Sequence, residues 1–223
     1  MPTAGRSRCA LEVPEDSAPR LTLLDYGVGN LHSLKKAFER AGAVVSVEED
    51  PGRIAEARAL LLPGVGAFGR VACRVAPYRS ELRRLLEGGL PTFAVCVGMQ
   101  ILYESSEEGE GKGLGFFPGR VRRLAHSRLP HIGWNSVQHD GIGPFEGIPQ
   151  GTFFYFVHSY APPADGPFVT GRADYGGPFA AAAVRANVWA FQFHPEKSSS
   201  AGREIVRRFV ELVRRCRSGG EGA

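Results

Sequence analysis

PTFAVCVGMQ, residues 91–100, is the stretch that decides the fold. Thr92 to Val95 is a short apolar run with β character, bounded upstream by Gly88, Gly89 and Pro91. Gly98 interrupts it, and a helical pattern follows through Met99, Gln100, Leu102 and Tyr103. Cys96 therefore sits where a buried strand turns into a helix. Such a turn presents the sulfur over a helix N-terminus, whose partial positive charge favours thiolate. A cysteine taken without context is more often a buried core residue. The strand-Cys-x-Gly-helix setting raises a nucleophile against that reading, and the rest of the chain must supply a base.

Upstream, strands and helices alternate. Leu21 to Leu24 is an apolar strand, followed by the loop Asp25 to Asn30. Asn30 suits the N-cap of a helix carrying Leu31, Leu34, Ala37 and Phe38, which stops near Gly42. GVGN within that loop is too short for a dinucleotide fingerprint. Strands are expected at Ala43–Val47 and Ala59–Leu62, with a short helix over Ile54–Ala57 between them. The third strand runs into Pro63-Gly64-Val65-Gly66-Ala67-Phe68-Gly69, a loop whose glycines let the backbone approach a ligand; an ordinary Gly-rich connection reads equally well. A helix with Leu82, Leu85 and Leu86 then leads to Thr92. This alternation over residues 21–105 predicts an α/β fold with a doubly wound, mostly parallel open sheet flanked by helices. Ligands of such sheets lie at the carboxyl ends of the strands, where both the Pro63–Gly69 loop and Cys96 fall.

Downstream the texture changes. Residues 104–115, ESSEEGEGKGLG, read as an exposed loop. Short strands with turn signals follow from Arg120, including HIGWNSVQ, TFFYFVHSY, FVTGRADY and VWAFQFH; these predict antiparallel strands attached to the parallel core. A final helix starts in Ser198-Ser199-Ser200 and carries Ile205, Phe209, Leu212, Val213 and Cys216 at helical spacing.

The base comes from the strand before that helix. His194 ends VWAFQFH, Pro195 stops the strand, and Glu196 follows two residues after the histidine. His-x-Glu across a proline turn brings a carboxylate to one ring nitrogen and leaves the other for the sulfur, the logic of nucleophile, base and orienter. His32, His126 and His139 sit in polar or helical settings and read as surface residues; His131 and His158 read as strand or rim residues.

Composition narrows the function classes. The 223 residues suit one domain, expected over residues 20–217, with a disordered extension at 1–19 and a frayed tail at 218–223. No apolar run approaches the roughly 18 residues of a membrane span. No secretory h-region opens the chain. The net charge of +4 lacks the aromatic interleaving of a nucleic-acid surface. The four cysteines show no CxxC and no metal spacing, which points to thiols in a reducing cytoplasm and to neither metal nor cofactor.

DYGVGNLHSLKKAFERAG, LPGVGAFG, CVGMQ, GLGF, HIGWN, YFVHSY and FQFHPEKS, in this order, resemble the class I (triad) glutamine amidotransferases, and among them the glutaminase subunits of imidazole glycerol phosphate synthases in histidine biosynthesis. The resemblance covers about residues 21–216. It implies that Cys96 attacks the side-chain amide of L-glutamine, that His194 relays the proton and that Glu196 orients His194. Backbone N–H groups of Val65 and Val97 would form the oxyanion hole. Gly66, Gln100, Glu108, His158, Ser159 and Tyr160 would hold the glutamine. Asn30, His131, Trp134, Tyr155 and Lys197 would face a (β/α)8-barrel cyclase subunit, which receives the ammonia. On residues alone, His158 to Tyr160 would be strand-edge packing, Glu108 a solvated loop acid, and Trp134 and Tyr155 core. One departure stands out: Ala94 replaces the glycine usual two residues before the cysteine, and its methyl is expected to crowd the strand slightly. Amidotransferases with other acceptors, a non-catalytic binding subunit and a cysteine peptidase are the rival readings; GWN, YFVHSY and the filled triad argue against them.

Overall fold

The computed structural model describes residues 18–25, 27, 31–64 and 66–218. Asn30, Val65, the segment 1–17 and the segment 219–223, to which the sequence attaches expectations, lie outside the described residues.

Nine strands form one sheet in the order β2-β1-β3-β4-β12-β11-β10-β7-β8. The first five are parallel: β2 (Val44–Glu48), β1 (Arg20–Leu24), β3 (Leu60–Leu62), β4 (Thr92–Val95) and β12 (Val188–Phe191). The other four continue the same sheet antiparallel: β11 (Pro178–Arg185), β10 (Val169–Asp174), β7 (His131–His139) and β8 (Thr152–His158). The antiparallel strands thus extend the parallel sheet rather than forming a separate layer. Short strands β5 (Ser105–Ser106), β6 (Arg120–Arg123) and β9 (Tyr160–Ala161) make a small second sheet.

The central strands are apolar throughout because helices cover both faces. With side chains alternating across the sheet, Leu61, Phe93, Trp189 and Phe191 enter one core cluster, under α1 (His32–Arg40) and α5 (Ser199–Ser218). Leu60, Leu62, Ala94, Val188 and Ala190 enter the other, under α2 (Phe68–Val75), α3 (Arg79–Glu87) and α4 (Val97–Gln100). The first face is aromatic: Phe93 lies 5.0 Å from Phe38, 5.0 Å from Phe191 and 5.1 Å from Phe209, ring centroid to centroid. Truncating such a buried ring costs about 3–5 kcal/mol. On the second face Ala94 stands in register with Ala190 and with Leu62. A small residue opposite it explains why the methyl at 94 is accommodated.

The region expected as a helix over Ile54–Ala57 is a 3₁₀ segment, Pro51–Glu56, started by Asp50, whose side chain accepts the Gly52 N–H at 2.8 Å. Among the described residues no helix is long and apolar enough to cross a membrane.

Candidate active site

The pairing of β4 with β12 builds the site. Val95 and Phe191 are register partners at the carboxyl ends of these adjacent parallel strands, and the Cys96 N–H donates to the Phe191 carbonyl at 2.7 Å. Segments far apart in sequence therefore deliver Cys96 and His194 to one edge. Cys96 adopts φ 49° and ψ −111°, a backbone conformation that L-residues avoid. Such strain persists only where neighbours enforce it. Two glycines permit the turn: a Cβ at position 98 would lie 2.3 Å from the Leu62 carbonyl oxygen, and one at position 64 would lie 2.6 Å from the Val95 oxygen and 2.8 Å from Cys96 Cβ. The Pro63-Gly64 loop is thus packed directly on the nucleophile turn.

The helix after Cys96 is shorter than its pattern suggests. α4 spans Val97–Gln100, and the chain tightens into i→i+3 bonds at Leu102 and Tyr103. A macrodipole sums over aligned peptides, so a single turn contributes little of the thiolate preference expected from a helix N-terminus. The sulfur is buried, 3.8 Å from the Val157 carbonyl and 3.6 Å from Nε2 of Gln192.

His194 and Glu196 meet as their spacing predicts. His194 Nδ1 donates to Glu196 Oε1 at 2.8 Å, with side-chain exposures of 2% and 6%. The ring is also fixed from its backbone. His194 N–H donates to the Tyr155 carbonyl at 2.8 Å, while the Ser198 hydroxyl donates to the His194 carbonyl at 2.7 Å and accepts the Tyr155 N–H at 3.0 Å. Ser198, the last residue of FQFHPEKS, thereby staples the proline turn to β8, a role that the sequence does not announce. His194 Nε2 is buried and makes no hydrogen bond within the described residues, which leaves it for the sulfur and substrate. Burial opposes a charge on this ring, yet the facing Cys96 sulfur and the Glu196 carboxylate outweigh it and raise the pKa to about 10. Such a ring accepts a proton readily and holds it until a leaving group takes it.

A cavity of about 230 Å³ opens onto this pair. Gly64, Gly66, Cys96, Val97, Gln100, Glu108, His158, Ser159, Tyr160, His194 and Lys197 line it, so each residue expected to hold the substrate borders one space. Val97 opens α4, where first-turn N–H groups lack intrahelical partners. Gln100 is buried; its Nε2 donates to the Tyr160 carbonyl at 2.8 Å and to Gln192 Oε1 at 3.0 Å, and its Oε1 has no partner among the described residues. Glu108 has a second task besides lining the cavity. Its Oε2 accepts the Phe68 N–H at 2.8 Å, so it caps α2 and ties the Pro63–Gly69 loop to the segment after β5. A larger cavity, about 430 Å³, lies between α1 and α5 behind Glu196 and contains no cysteine.

Three residues expected at a partner surface cluster. Trp134 is 52% exposed and meets Tyr155 edge-on at 6.2 Å, and Lys197 Nζ lies 5.8 Å from the Tyr155 ring. His131 departs from them because its side chain is turned into the protein. It is buried, stacked on Tyr175 at 4.1 Å, and Nδ1 donates to His158 Nε2 at 3.2 Å. His158 in turn donates from Nδ1 to the Tyr160 carbonyl at 2.9 Å, and burial pushes its pKa down to about 3. The two rings act as neutral struts behind the cavity.

A cysteine on a strained strand–helix turn, a buried His-Glu pair and a small cavity between them fit acyl transfer through a thioester. The family profile described as "Glutamine amidotransferase class-I" matches residues 22–212. The chain is 44% identical over 206 residues to imidazole glycerol phosphate synthase subunit HisH of Moorella thermoacetica, covering 90% of this chain and 98% of the relative. It is 45% identical over 199 residues to the subunit of the same name from Thermus thermophilus, covering 86% and 98%. A crystal structure of a glutamine amidotransferase superposes with a TM-score of 0.68 at 21% identity, covering 86% of this chain and 98% of that one, which is a likeness of fold. On the profile match and these identities, the chain belongs to the class I glutamine amidotransferases, within the group of imidazole glycerol phosphate synthase HisH subunits.

Proposed function

We propose that this chain is the glutaminase subunit of an imidazole glycerol phosphate synthase, a glutamine amidotransferase of histidine biosynthesis, with Cys96, His194 and Glu196 as its catalytic residues. The observation that carries the assignment is the meeting of a strained, buried Cys96 with a His194 whose Nδ1 is committed to Glu196. One domain over residues 20–217 holds the whole site, and the protein acts in the cytoplasm.

The geometry supports the following reaction. Cys96 Sγ attacks the side-chain carbonyl carbon of L-glutamine after its proton passes to His194 Nε2. The oxyanion is held by the Val97 N–H, with a second donor from Val65. His194 returns its proton to the amide nitrogen, the C–N bond breaks, and ammonia leaves. Water, deprotonated by the same ring, then attacks the glutamyl thioester and releases glutamate. Glu196 keeps Nδ1 protonated and the ring aligned through both halves. Gln100 and the backbone of His158, Ser159 and Tyr160 hold the glutamine, with Gly66 and Glu108 closing the cavity.

Free ammonia is largely protonated in neutral water and then is no nucleophile, so it must pass to its acceptor without release. The partner is a (β/α)8-barrel cyclase subunit that uses the ammonia to form imidazole glycerol phosphate and the aminoimidazole carboxamide ribotide. Its docking face is supported by an apolar stripe on the outer face of β7 and β8. Ile132 (61% exposed), Trp134 and Phe153 (59% exposed) share that face with Tyr155, bordered by Lys197; Asn30 is a further contact. Exposed apolar patches of this kind mark interaction sites. Ammonia release from glutamine, measured with and without the cyclase subunit and its ribotide, tests the reading. Faster release with both is expected; equal turnover would remove the coupling, and none under either condition would remove the glutaminase.

A further inference from the structure

Gln192 takes no part in the steps above, yet its side-chain amide donates a hydrogen bond to the Cys96 sulfur. It is fully buried between Phe191 and Phe193, in a strand end where an unpartnered amide would be costly. The register of β12 on β4 sets it beside the nucleophile. Its Oε1 accepts from Gln100 Nε2 at 3.0 Å, and its Nε2 lies 3.6 Å from Cys96 Sγ.

The orientation of both amides is dictated by one carbonyl. The Tyr160 oxygen can only accept, so Gln100 must turn its nitrogen to it. The second N–H of that nitrogen needs an acceptor, so Gln192 turns its oxygen to Gln100 and its own nitrogen to the sulfur. Gln100 Oε1 is thereby left buried, without a partner among the described residues, and beside the cavity.

We infer that Gln192 is a positioning residue with two tasks. It holds an N–H on the Cys96 sulfur, which orients the sulfur and stabilises the negative charge that develops there as its proton leaves. It also locks Gln100 so that Oε1 is presented as an acceptor for an N–H group of the bound glutamine. The second task rests on the reading of the cavity as a glutamine site; the first does not.

The test uses the full chain with Gln192→Met, which matches the side chain's length without its N–H, and Gln192→Leu as a second apolar variant. Alkylation of Cys96 by iodoacetamide is followed at neutral pH in the absence of glutamine, with the Cys96 peptide resolved by mass. Both variants should alkylate about tenfold more slowly at neutral pH, the effect of losing one hydrogen bond to a charged group. The KM for glutamine should rise and kcat should fall. A variant that fails to fold would expose Cys96 and alkylate faster, the opposite sign, and would count against a positioning role. An unchanged alkylation rate in both folded variants would overturn the first task, and an unchanged KM would overturn the second. Wild-type chain that alkylates as described but releases no ammonia from glutamine would overturn the substrate reading and leave the first task standing.

Discussion

His194 Nδ1 and Glu196 Oε1 are 2.8 Å apart, and both side chains are all but closed to solvent. Two residues apart across Pro195, they can meet only because the turn is a 3₁₀ segment, Pro195–Lys197, stapled to β8 by Ser198. The carboxylate fixes which ring nitrogen carries the proton and steadies the ring when both do. Its unbonded oxygen, Oε2, is buried without a partner among the described residues, so no second contact through that oxygen would hold Glu196 in place if the imidazole were lost.

Glu196→Gln keeps the size of the side chain and lets the amide face Nδ1 with either end, so the ring loses its enforced tautomer. The kcat for glutamine hydrolysis should fall on the order of 10³-fold with KM little changed. Steady-state glutaminase kinetics check the split; a fall carried by KM instead would place Glu196 in substrate binding.

The same pair makes stability depend on pH. The His194 pKa is raised from 6.5 to about 10, so its contribution to folding is complete below about pH 6.5 and is lost as pH rises through about 10. Urea unfolding of wild type from pH 6.5 to 10 should show a declining midpoint attributable to this group. In Glu196→Gln the decline should be shallower, because part of what holds the charged ring is gone.

Gly98→Ala places a methyl 2.3 Å from the Leu62 carbonyl oxygen, at the end of β3. Backbone cannot yield as a flexible side chain does, so either the nucleophile turn or β3 must shift. A loss of about 1–3 kcal/mol in stability is expected, together with a fall in kcat/KM because Cys96 moves with the turn. Calorimetry and kinetics on one preparation decide whether both occur.

Ser198→Ala removes the hydroxyl that joins the His194 carbonyl to the Tyr155 N–H and strands a buried donor. A destabilisation of about 1–3 kcal/mol is expected, with a fall in kcat smaller than that of Glu196→Gln, since the Nδ1–Oε1 bond remains. Thermal unfolding and kcat measured side by side test the ordering.

How legible the site is in the sequence depends on what each residue needs from its surroundings. The parallel half of the sheet can be read from apolar runs alternating with helical periodicity, because strands buried on both faces have no other way to look. His194 and Glu196 are legible because a proline turn fixes a short offset. Periodicity overstates the reach of α4: Leu102 and Tyr103 keep helical spacing, but their backbone closes in i→i+3 bonds and their side chains are simply core. The expectation of His131 at a partner surface fits its neighbours Ile132 and Trp134, whereas its own ring is turned inward to His158. Gln192 and Ser198 fall inside the quoted FQFHPEKS, yet the motif gives neither a role, although each leaves a signal. A glutamine inside VWAFQFH and a buried serine after a proline turn are polar groups that burial obliges to find partners. The partners lie on β8, in α4 and at the end of β4, and sequence spacing does not reveal them.

The central claim is that Cys96 is the nucleophile on which glutamine is opened. Wild type and Cys96→Ala, each assembled with the cyclase subunit, should be compared for ammonia release from glutamine, with the wild-type reaction quenched in acid for mass spectrometry. A glutamyl adduct on the peptide containing Cys96 is expected, with a loss of activity on the order of 10³-fold or more in Cys96→Ala. Ammonia release that survives the substitution, or an adduct on another residue, would contradict it.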